Sequence, residues 1–134
     1  MAALTVGDTQ FHVTKAERNE EFYHSCGLEK SRFNEWCIVV LFYVSMHYVD
    51  AVLYQDTSLP GNMRNPKNHR VRKVAVSQCS KLGQVAIMYS NLRDRCWEAR
   101  YHKICFPDNF LHKFTTFIFT PTRTYLRNTL GLIN

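Results

Sequence analysis

The sequence predicts an all-α protein, and three observations carry that prediction. Apolar residues recur at steps of three and four along most of the chain, the spacing of one helix face. Capping residues, prolines and glycines fall in the order that opens and closes helices. Only "TTFIFT", residues 115–120, has the β-branched and aromatic density of a strand.

The first predicted helix is "KAERNEEFYHSC", after an irregular start, with Thr14 as N-cap and Gly27 closing it. Ala16, Phe22, Tyr23 and Cys26 lie on or near one side. A second helix runs from about Lys30 to Gln55. Trp36, Val40, Tyr43, His47, Asp50 and Tyr54 form one face, while Ile38, Val39, Phe42, Met46, Val49 and Leu53 make the other side apolar as well. A helix apolar all round belongs at the centre of a fold. Pro60-Gly61 marks a turn, and Pro66 suits the first position of a third helix capped by Asn65. That helix carries His69, Arg72, Ala75 or Val76, and Cys79. After a break near Leu82-Gly83, the positions Leu82, Val85, Tyr89, Leu92, Cys96 and Ala99 mark a fourth helix. Asp108 caps a further one through Phe110, Leu111, Phe114 and Phe117, with 115–120 open to helix or extended chain. The last has Thr120 as N-cap, Pro121 at its first position and Gly131 past its end.

The 134 residues make one domain, 1–134, long enough to bury a core. Hydrophobic residues at 46% and charged residues at 21% are globular proportions. A net charge of +6 favours acidic partners such as nucleic acid. The five cysteines include no C-x-x-C pair, which argues against a zinc site. Cys26, Cys79 and Cys96 sit on expected apolar faces, where cysteine acts as a small hydrophobe. A reducing cytoplasm is the simplest location for such a chain. No signal peptide is recognisable, and the run "WCIVVLFYVSMHYV" is too short to span a bilayer, so no membrane association is expected.

Several polar residues interrupt the apolar pattern. His47 and Asp50 share a face, which suits either a buried His–Asp hydrogen bond or a carboxylate-oriented histidine in an acid–base pocket. Arg100 and Tyr101 end the fourth helix, where Arg100 suits either ordinary last-turn capping or, the preferred reading, an inward turn toward Asp50 or a bound phosphate. The stretch "GNMRNPKNHRVRKV" has the chemistry of a phosphate site. A histidine at a helix start is biased to its neutral form, suited to taking a proton from a ribose 2′-hydroxyl. Arg64, Arg70, Arg72 and Lys73 offer charge for the phosphate. Internal 2′-hydroxyl attack needs no metal, and no cofactor is expected. The alternative is a solvated basic loop.

The order "NEEFYHSC", "WCIVVLFYVSMHYVDAVL", His69-x-x-Arg72 and "YSNLRDRCWEARY" resembles the HEPN superfamily, the higher eukaryote and prokaryote nucleotide-binding helical domains, over residues 17–101. The resemblance implies an antiparallel bundle of four to five helices acting as a homodimer. It also implies a metal-independent ribonuclease of the toxin or defence type, with an antitoxin-like protein partner and a site at the dimer cleft. Arg64-x4-His69 matches the superfamily's R-x(4–6)-H motif and makes those two residues the catalytic candidates. Arg18–His24 and Arg95–His102 fit the same spacing, so position alone singles out Arg64–His69. Pro66 inside the motif puts Arg64 ahead of the helix. A non-catalytic module binding nucleic acid, a nucleotide or a protein is the alternative.

Overall fold

The long apolar helix predicted at the centre is the axis of the protein. In the computed structural model, which describes residues 8–103 and 105–133, every regular element is helical. Helix α1 spans Thr9–Ser25, α2 Asn34–Gln55, α3 Gly61–Arg64, α4 His69–Gln78, α5 Ala86–Tyr101, α6 Asp108–Lys113 and α7 Thr120–Thr129. Residues 1–7, the start of the segment read as irregular, lie outside the described residues.

Helix α2 packs against α1, α5 and α7, and its buried residues form the centre of the core. Phe42, Ile38, Val44, Val49, Val52 and Leu53 are almost fully enclosed. With 22 residues it is long and apolar enough to cross a membrane, contrary to the length expectation from the sequence. However, 78% of its most apolar stretch is buried against the protein's own helices, as a core helix requires. Helices α1 and α2 run antiparallel. Thr9 Oγ1 reaches the Ala51 carbonyl at 3.5 Å near one end, and Cys37 Sγ reaches the Leu28 carbonyl at 3.1 Å near the other.

Several helix starts differ from the sequence reading. Asp8, not Thr14, caps α1, its carboxylate accepting from the Phe11 N–H at 2.9 Å. The earlier start brings His12 and Val13 into the core beside Ala16 and Tyr23, while Phe22 and Cys26 are exposed. The buried thiols are therefore Cys37, Cys79 and Cys96. Helix α2 starts at Asn34, because Gly27 at φ 67 leads first into a short 3₁₀ turn. Asn68, not Asn65, caps α4, its side chain accepting from the Val71 N–H at 2.9 Å. Pro66 lies buried before the helix, and its carbonyl accepts from Arg72 Nη2 at 3.4 Å. His69 is consequently the first residue of α4.

The ambiguous segment 115–120 is neither strand nor α-helix. Phe114–Phe119 forms a π-helical turn that joins α6 directly to α7. Proline lacks the N–H for the usual bond and its ring crowds the carbonyl four residues back. The wider turn just before Pro121 relieves that crowding. It also changes the phase of the buried face. Phe114 and Phe119, five apart, point inward, while Phe117 is turned out at 65% exposure. Thr120 is thus not an N-cap, whereas Gly131, at φ 74, does end the last helix as expected.

Candidate functional site

The polar residues of α2 and α4 meet where the start of α4 docks on α2. Asp50 is 2% exposed and accepts from Arg72 through both oxygens, Nε to Oδ1 at 2.7 Å and Nη2 to Oδ2 at 3.0 Å. Burial raises the Asp50 carboxyl above its ordinary value, and Arg72 opposes that rise. Burial alone would lower the guanidinium, but its bonds to Asp50 override this and raise it. The sequence placed Arg72 among phosphate ligands; the structure seals it into the core as the partner of Asp50. The expected His47–Asp50 hydrogen bond is replaced by this ion pair, and His47 Nδ1 instead faces His12 Nδ1 at 3.4 Å.

Arg72 also fixes His69. Its Nη1 lies 3.2 Å from His69 Nδ1, and a guanidinium only donates, so Nδ1 is the acceptor. This assigns the neutral ring's proton to Nε2. Burial, then Arg72, then Arg100 hold the His69 pKa below its ordinary 6.5. Asp50, Arg72 and His69 thus form one chain, in which a buried carboxylate anchors the arginine that sets the tautomer of an exposed histidine.

His69 lines a cleft of about 560 Å³ with Phe42, Tyr43, Arg93, Trp97, Arg100 and Tyr101. The rim combines aromatic faces with positive charge. Trp97 and Tyr101 are 57% and 60% exposed, and Trp97 packs at a tilt against His102, with ring centroids 4.2 Å apart and planes at 42°. Arg100 does not turn inward to Asp50. It is exposed, donates to Tyr43 Oη at 2.8 Å and lies over the Tyr101 ring at 5.0 Å. Asp94 and Glu98, paired with Arg93 at 3.2 Å and Arg95 at 2.8 Å, offset two of the cleft's three arginines. Exposed Lys67, Arg70 and Lys73 add positive charge along the start of α4. Burial pushes the Cys96 thiol in the cleft wall up to about 11, so it is inert as a nucleophile at neutral pH.

Arg64 has a different task. As its proline predicted, it precedes α4, at the end of α3. Its Nε and Nη2 both donate to the Tyr54 carbonyl in the last turn of α2, Nε at 2.9 Å, and the guanidinium lies over the Tyr54 ring at 5.0 Å. A cation on the orphan carbonyls of a helix C-terminus is a capping interaction. The histidine's arginine partner is Arg72, three residues on, rather than Arg64.

Sequence reasoning missed His12, Arg93 and Trp97. His12 was recoverable, because it lies four residues before Ala16 and eleven before Tyr23 on the same buried face. Arg93 and Trp97 are flanking positions of the α5 stripe, and nothing in one sequence separates such residues from ordinary surface. A second cleft, of about 630 Å³ and sharing no lining residue with the first, lies between α1 and the π-turn, lined by Glu20, His24, Lys30, His112, Thr116 and Arg123 among others. Comparison with family models, curated proteins and solved structures gives no match to this chain.

Proposed function

We propose that this chain is a HEPN-like nucleic-acid-binding domain whose α2–α4–α5 cleft takes single-stranded RNA. One observation carries the reading: Arg72 holds His69 as a neutral ring with its proton on Nε2, in a cleft rimmed by Arg93, Arg100, Trp97 and Tyr101. In that state the histidine is a hydrogen-bond donor, suited to a phosphate oxygen. The arginines supply charge for the backbone, and the exposed aromatic rings supply faces on which unpaired bases stack. Basic residues along α4 extend the track. The test is fluorescence anisotropy with a short single-stranded RNA over a range of salt. Binding that weakens with salt and is lost in Arg93→Gln/Arg100→Gln supports the reading; salt-independent binding, or none at low salt, refutes it.

The second reading is a metal-independent ribonuclease acting as a homodimer, with His69 in proton transfer. The exposure of His69 at a helix start, inside a cationic cleft, favours it. Against it, the nitrogen that would accept a proton is occupied by Arg72, and Arg64 is engaged at Tyr54. RNA cleavage in chelator, abolished by His69→Ala, would establish this reading over simple binding. An antitoxin-like protein partner belongs to it and would be sought only after cleavage is seen.

A further inference from the structure

We propose that His12, His47 and Asp50 form a binding site for one divalent transition-metal ion of the zinc class, bridging α1 and α2. One ligand atom from each of the three residues lies within 4.8 Å of the others. The two Nδ1 atoms stand 3.4 Å apart, long for a hydrogen bond between ring nitrogens. A tetrahedral ion with bonds of about 2.0–2.1 Å holds neighbouring ligands about 3.4 Å apart, so this separation is already that of a metal-bound pair. Two imidazoles and a carboxylate are the donor set that zinc, nickel and cobalt accept.

His12 is buried, which keeps water from competing for its Nδ1. Ligation through Nδ1 puts the ring proton on Nε2, which has no hydrogen-bond partner among the described residues. Asp50 is compatible with a metal despite its pairing with Arg72. Each carboxylate oxygen has two lone-pair directions, and Arg72 takes one bond from each oxygen. Arg72 then serves as the outer hydrogen-bond partner that orients a ligating carboxylate. His47 is only half-buried, which gives an ion a route from solvent and leaves the fourth position for water. The ligands come from two helices, with the histidines 35 residues apart, so no local spacing motif reveals them.

The test titrates the chelator-treated full chain with Zn²⁺, and separately with Co²⁺ as an optical reporter. One ion per chain and the intense visible bands of tetrahedral Co²⁺ are expected. His47→Gln, at the partly exposed position, should weaken binding at least about tenfold while keeping the helical circular dichroism. His24→Gln, on α1 with His12 but outside the cluster, should leave binding unchanged. Absence of stoichiometric binding, a weak octahedral Co²⁺ spectrum, or undiminished binding by His47→Gln would overturn the site. The Co²⁺ spectrum of the unaltered protein decides the matter even where a variant fails to fold. None of these outcomes depends on RNA binding.

Discussion

Replacing Arg72 by methionine removes the cation that pairs with a buried carboxylate. The Arg72 and Asp50 side chains are 7% and 3% exposed, so water neither screens the pair nor replaces the lost partner. Removing one member of a buried pair leaves an uncompensated charge and costs about 3–5 kcal/mol. The two charge-assisted bonds at 2.7 and 3.0 Å, each contributing about 1.5–3 kcal/mol, together give about 3–6 kcal/mol, which overlaps that range. For a chain of this length that lowers Tm by roughly 11–18 °C. The double variant Asp50→Leu/Arg72→Met removes both charges and should recover most of the loss. A pH control follows from linkage. In Arg72→Met the unpaired Asp50 has a folded-state pKa raised above its unfolded value, so its protonation favours folding. The variant's penalty should shrink as pH falls from 8 to 5. Urea denaturation followed by circular dichroism measures all of these. A single-variant cost under about 1 kcal/mol, or a double variant as unstable as the sum of the singles, refutes the account of the pair.

Other outcomes follow from the same structure. The His69 pKa is held below 6.5, so its stabilising effect is complete above pH 6.5 and is lost as pH falls through 6.5 toward the folded value. An NMR titration should place its midpoint below 6.5 and find it raised in Arg72→Met. Asn34 is buried and donates to the Phe106 carbonyl and to Asp108 Oδ1, both at 2.7 Å, stapling the start of α2 to the start of α6. Asn34→Ala should cost about 2 kcal/mol in a denaturant titration. Cys26 and Cys105 are exposed while Cys37, Cys79 and Cys96 are buried. A maleimide reagent should label two thiols quickly in the native protein and the remaining three only after unfolding.

The stripes of α4 and α5 were legible because each has one buried face whose period survives in the residues. Leu82, Val85, Tyr89, Leu92, Cys96 and Ala99 are all enclosed. The face of α2 that begins at Trp36 was only partly so. Asp50 is buried where α4 docks, while Trp36, at 52% exposure, lies beyond the packed helices. Periodicity identifies a face but not what covers it. The site was legible as a set of residues and not as a set of pairings. His47, Asp50, His69 and Arg72 stood out as polar groups on apolar helices, yet which bonds to which depends on how α1 and α4 dock on α2. A bidentate guanidinium satisfies a buried carboxylate better than one imidazole nitrogen, which is why Arg72 and not His47 takes Asp50. Phe117 is turned outward by a π-turn, a departure from the helical period that no period-based reading anticipates.

The claim on which the functional account rests is that RNA enters the cleft beside His69. Titrating isotope-labelled protein with a short single-stranded RNA and following the amide, imidazole and indole NMR signals tests it most directly. The account predicts shifts clustered at Phe42, His69, Arg93, Trp97 and Arg100, with the Trp97 indole among the most affected. Shifts confined to the second cleft around His24, Lys30 and Arg123, or no shifts at low salt, would contradict it.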